Sequence, residues 1–185
     1  MFELRGRSAV RRVLVGGLAA IVMVQTHVAA TVIVPADFSE MVAESQLVVH
    51  GRVVEVRARM VGSFRTIESV VTIAVQEAIK GEPGETVSVR VPGGQVGRYR
   101  RFMVGAPVFH TGEEVVLFLS GRAPAIPMPF GLNQGVYRVS RGADGRGLVA
   151  PPLAEGRVVR GDAARRPIEV SAFVQQVRTA MGNSR

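Results

Sequence analysis

Residues 47–59 read LVVHGRVVEVRAR. Leu47 and Val49 open an alternating pattern, and Val54, Val56 and Ala58 continue it while Glu55, Arg57 and Arg59 face the other way. Successive side chains on extended backbone point to opposite faces, so a period of two marks a half-buried strand. Between Gly51 and Val54 the apolar phase slips by one residue. An extra residue in a β-bulge produces that slip and bends the strand that carries it. This stretch therefore predicts a long, bent strand.

The pattern repeats downstream. From Thr66 to Ile79, Ile67, Val71, Ile73, Val75 and Ile79 share one face, with Glu68, Thr72 and Gln76 on the other. Residues 80–84, Lys-Gly-Glu-Pro-Gly, are turn formers, and Val87, Val89 and Val91 then alternate with Thr86, Ser88 and Arg90. Three strands joined by short turns predict an antiparallel meander. Val115–Leu119 is apolar on both faces and reads as a central strand. A Pro-rich loop over 123–129 leads to a further strand at 134–140, a turn at 142–147, and weak strands around Leu148 and Val158. Between Pro92 and Gly112, six glycines and prolines interrupt any periodicity: Gly93, Gly94, Gly97, Gly105, Pro107 and Gly112. A loop of about twenty residues in a compact domain usually has a function or local structure of its own.

Helical spacing is confined to the flanks. Asp37 and Glu40 have the form of a capping box before Phe38, Met41 and Val42, which predicts a short helix over 38–45. Ile168, Phe173, Val174 and Val177 predict an amphipathic C-terminal helix over 167–181. The expected fold is thus mainly β: a small antiparallel β-barrel of the oligonucleotide/oligosaccharide-binding type, with a short N-terminal helix and a C-terminal amphipathic helix. Closure would remove exposed strand edges, which favours the barrel over its alternative, a β-sandwich.

The first thirty residues read differently. Arg5, Arg7, Arg11 and Arg12 precede the uncharged apolar run Val13–Val24, and Val28 and Ala30 fit the minus-three and minus-one positions of a peptidase site. That is the layout of a secretory signal peptide, and the apolar run is well short of the ~20 residues a spanning helix needs. Residues 1–30 are expected to be removed after Ala30, leaving 31–185 as a single domain in the periplasm or outside the cell, without stable membrane insertion. The loss of four arginines and one glutamate takes the formal net charge from +8 to +5. With no cysteine in the chain, disulfides, thiolate metal sites and Cys nucleophiles are excluded, and stability must come from the core.

Val34-Pro35, the stretch from Ser45 to Val53, and that from Val71 to Gly81 resemble the opening of the netrin-like barrel found in tissue inhibitors of metalloproteinases. The chain is also similar to small uncharacterised exported bacterial proteins, through the motifs at 48–53, 80–81, 91–94, 112–119 and 135–139. The first resemblance implies a barrel and, functionally, inhibition of a metalloprotease. In that family the mature N-terminal cysteine chelates the protease zinc through its amino and carbonyl groups. The matching residue here is Thr31, which keeps an α-amino group.

No nucleophile–base pairing or phosphate loop is present in the sequence, and neither catalytic residues nor a cofactor are expected. Beside the inhibitor two readings stand, and the second of them is the expected one. One is a metal-dependent hydrolase using His50, His110 and Glu113 or Glu114, since imidazole and carboxylate suit zinc or calcium; the plainer expectation is that His50 is a partly exposed strand residue and His110 a turn residue beside solvated acids. The other is a non-enzymatic binding module. For it the candidate residues are Arg98, Tyr99, Arg100, Arg101 and Phe102, basic and aromatic side chains interleaved in the long loop, which suit a protein or an acidic envelope polymer through charge and stacking. Export argues against nucleic acid as the partner. The bland alternative for this segment is a solvated hairpin with its rings packed onto the barrel.

Overall fold

The computed structural model describes residues 36–62, 66–151 and 167–183. The proposed signal segment, Thr31 and the weak strand expected near Val158 lie outside them. Helix α1 (Phe38–Glu44) is followed by strands β1 (Leu47–Val61), β2 (Thr66–Lys80), β3 (Thr86–Pro92), β4 (Gly94–Val96), β5 (Tyr99–Arg101), β6 (Glu114–Ser120), β7 (Met128–Pro129), β8 (Val136–Arg141), β9 (Gly147–Ala150) and β10 (Ile168–Glu169), and by helix α2 (Val170–Asn183). The fold is mainly β. An eight-stranded antiparallel sheet runs β10-β9-β8-β6-β1-β2-β3, with β7 paired to β6, and β4 and β5 form a sheet of their own. The ladder does not close on itself, so strand pairing alone gives a sheet and not a complete barrel.

The bend expected in the first strand is present. Register shifts fall between Val48 and Val49, between His50 and Gly51, and between Val53 and Glu55. Gly51 is needed there because a Cβ would lie 2.3 Å from the Ala74 carbonyl oxygen. The curved sheet has a core on each face. On one, Val49 and Val53 pack with Val71, Ile73, Val87, Val89, Val91, Val115, Leu117 and Leu119, closed by Phe109 from the long loop. On the other, Val48, Ile79, Val116 and Phe118 meet Met41 and Val42 of α1 and Phe173, Val174 and Val177 of α2. Phe118 and Tyr137 sit 6.2 and 4.8 Å, centroid to centroid, from the Phe173 ring, aromatic pairings in the favourable range. Burial of each such side chain stabilises the fold by about 1.5–3 kcal/mol. Strand β6 feeds both cores: Val115, Leu117 and Leu119 enter one, and Val116 and Phe118 the other.

Helix α1 departs from the expected capping box. Asp37 makes no side-chain cap bond, and Ser39 Oγ donates to its carboxylate instead, at 3.2 Å. The far end is held from outside the helix. Lys80 Nζ, at the end of β2, donates to the Val42 and Ala43 carbonyls at 2.6 and 3.0 Å. Partial desolvation there lowers the ammonium's pKa from its ordinary value. A lysine in a Gly/Pro turn would be expected to stand free in water, and the strand end brings it under the helix instead.

Candidate functional site

The stretch from Pro92 to Gly112, which has no periodicity, contains a small β-hairpin. β4 and β5 pair Gly94 with Arg101, Gln95 with Arg100 and Val96 with Tyr99. The two-residue turn between them has Gly97 at φ +57°, a left-handed conformation that a primed hairpin turn requires and glycine adopts without steric cost. The hairpin is seated by Gly94 (φ +132°), where a Cβ would lie 2.5 Å from Ser69 Oγ and 3.0 Å from the Ala58 Cβ. Ser69 Oγ also donates to the Gly93 carbonyl at 2.8 Å. That bond and the close packing at Gly94 fix the hairpin's base against β1 and β2 and leave its body in solvent.

All five candidate residues, Arg98, Tyr99, Arg100, Arg101 and Phe102, are exposed. Tyr99 is 48% and Phe102 71% accessible, so the rings stand out from the sheet rather than packing on it. Arg98 donates to Tyr99 Oη at 3.0 Å and its guanidinium lies 5.1 Å from that ring's centre, a cation–π arrangement. Arg100 and Arg101 have no carboxylate partner among the described residues. Beyond the hairpin, Val104 and Val108 are 72% and 58% exposed, while Phe109 between them and the sheet is buried. Arg138 holds this part of the loop, donating to the Val108 carbonyl at 2.8 Å with its guanidinium 5.8 Å from the Phe109 ring centre.

The two histidines do not converge. His50, expected to be a partly exposed strand residue, is buried at 9% accessibility, and its Nε2 donates to Glu114 Oε1 at 3.0 Å. His110 bonds the neighbouring Glu113 at 2.9 Å, and Glu113 also takes Arg138. Glu113 and Glu114 are consecutive in the chain, and the two pairs use separate carboxylates. Among the described residues no group of three or more His, Asp and Glu side chains comes together as a cation site.

What the sequence did not reveal is the arginine cage around Glu114. Arg141 gives it two bonds, at 2.9 and 2.6 Å, and Arg52 a third at 3.1 Å. Burial by itself would raise this carboxyl's pKa. The hydrogen bonds from Arg141 and His50, reinforced by their charges, outweigh that and hold it below the ordinary value. With its oxygens filled by four donors, Glu114 is a structural anchor joining β1, β6 and β8 and is not free to accept a proton from a substrate. A second, smaller cluster has Glu68 taking two bonds from Arg59, with Arg90 3.9 Å away.

Neither family models, curated proteins nor solved structures give a match to this chain.

Proposed function

We propose that this protein is an exported, non-enzymatic binding module that contacts a protein or an acidic polymer of the cell envelope through the 92–112 segment. One observation carries the reading: Arg98, Arg100 and Arg101 present guanidinium groups that no described carboxylate neutralises, beside exposed rings, on a rigidly seated hairpin. Preorganised cations and aromatic rings are the chemistry of a recognition surface. Export rests on the basic and apolar layout of residues 1–30. The scaffold is proposed as a netrin-like or related barrel. In its favour, Arg90 of β3 donates its amide to the Pro127 carbonyl at 2.8 Å, next to β7, which pairs with β6. That bond links the meander's free edge toward β6 and would complete a circuit of β1, β2, β3, β7 and β6.

The test is retention of envelope components by immobilised protein, compared with an Arg98→Ala, Arg100→Ala, Arg101→Ala variant. The expected result is binding that the variant loses while its circular dichroism is unchanged. Equal retention by both proteins would exclude the hairpin as the contact surface.

A further inference from the structure

The hairpin's arginines differ from nearly all the others. Arg52, Arg57, Arg59, Arg90, Arg138, Arg141, Arg146 and Arg178 each pair with a carboxylate. Among the described residues, Arg98, Arg100 and Arg101 do not, and Arg122 in a separate loop is the remaining case. Three uncompensated cations within four residues are therefore a local property of this hairpin and not of an arginine-rich chain. The strand that carries two of them is also open on one side: β5 pairs with β4 and with no other described strand. Such an edge presents unpaired backbone donors and acceptors, the template for strand addition.

We infer that the hairpin's ligand is an extended acidic polypeptide segment, its carboxylates alternating with apolar side chains, added as a strand along the free edge of β5. The inference rests on the binding-module reading and names the partner class at the same site. Alternation decides between possible occupants. Tyr99 and Arg101 lie on one face of β5 and Arg100 on the other. A flat anionic bilayer can address only one of those faces. An added strand lies beside both, because its own side chains alternate about 4.7–4.9 Å away. With its carboxylates on the Arg100 face, its apolar residues would cover Tyr99 on the other face, a ring that a polyuronate chain leaves wet. A carboxylate opposite Arg100 contributes about two- to fivefold in affinity, and reversing that charge replaces the attraction by a repulsion of similar size, to which reversal of the neighbouring Arg101 adds, for a combined loss of about tenfold or more.

The experiment measures anisotropy of a labelled octapeptide of alternating Glu and Val on titration with protein purified from the cells that express it. Three comparison probes are a fully N-methylated copy of the peptide, vesicles of anionic phosphatidylglycerol, and polygalacturonate. Saturable binding of the first peptide, lost on N-methylation and weakened at least tenfold in Arg100→Glu, Arg101→Glu, is the expected result. Both positions are exposed, and matching circular dichroism of the variant shows that the fold is intact. Equal binding of the N-methylated copy overturns strand addition, and no binding of the unmodified peptide overturns the inference altogether. If vesicles or polygalacturonate bind instead, and Arg98→Ala, Arg100→Ala, Arg101→Ala removes that binding, the peptide inference fails while the binding-module reading stands. If the triple variant also keeps its hold on envelope components, both fail.

Discussion

Two sets of arginines use the same side chain for opposite ends. Arg52 and Arg141 close over a carboxylate that is itself only 4% exposed, and their fork geometry fills it together with His50. Arg98, Arg100 and Arg101 extend into water from the β4–β5 hairpin, with no carboxylate partner among the described residues. The first set is a completed interaction, held by neighbouring strands whose register places donor opposite acceptor. The second is an incomplete one, and its incompleteness is what makes it available. Charge at a protein surface is therefore informative only after its partners have been counted.

The comparison breaks first at Glu114. Replacing it by Ala would strand two guanidiniums and an imidazole. A fully buried pair loses about 3–5 kcal/mol on such a change, but Arg52 and Arg141 are half exposed and can turn to water, so about 2 kcal/mol is expected. Urea denaturation at neutral pH would measure it, and a loss under 0.5 kcal/mol would reduce the cage to a surface ornament. The pH dependence sharpens the same point. Glu114 has a folded-state pKa below the ordinary 4.5, so its stabilisation is complete above that value and disappears as pH falls through the lower, folded-state one. Between pH 6 and 3, the wild type should lose stability more steeply than Glu114→Gln, and parallel curves would contradict the assignment. Next in size is Lys80→Met, which removes two bonds to the end of α1 and should cost about 1 kcal/mol, seen as a fall of about 2–4 °C in Tm. Smallest of all, Arg98→Ala, Arg100→Ala, Arg101→Ala should change unfolding free energy by no more than about 0.5 kcal/mol, as surface substitutions do. A larger loss would mean that the hairpin arginines support the fold, and the contrast between the two sets would collapse.

The meander was legible from the chain because β1, β2 and β3 keep a period of two for long enough to be read, and the slip near Gly51 announced the bulges. β6 was legible as a strand buried on both faces, since Val115–Leu119 has no polar position. β4 and β5 were not, because strands of three residues interrupted by glycine have no period to detect; only the density of turn formers pointed to local structure there. The cage was hidden for another reason. His50 and Glu114 lie 64 positions apart, and only the register of β1 on β6 brings them together. One signal did exist: alternation puts Glu114 on the face of Val116 and Phe118, and an acid on an apolar face needs a cation. The position of Lys80 under α1 depends on the route of the preceding helix and leaves no mark in local sequence.

Because β6 contributes alternate side chains to each of two clusters, neither cluster can melt while the other stays whole. Heating should thus produce a single calorimetric transition for this sheet, with the amides of 115–119 exchanging only through global unfolding and those of 94–101 exchanging long before it. A molecule built this way confines any opening of its recognition hairpin to the hairpin itself and lends none of that motion to its interior.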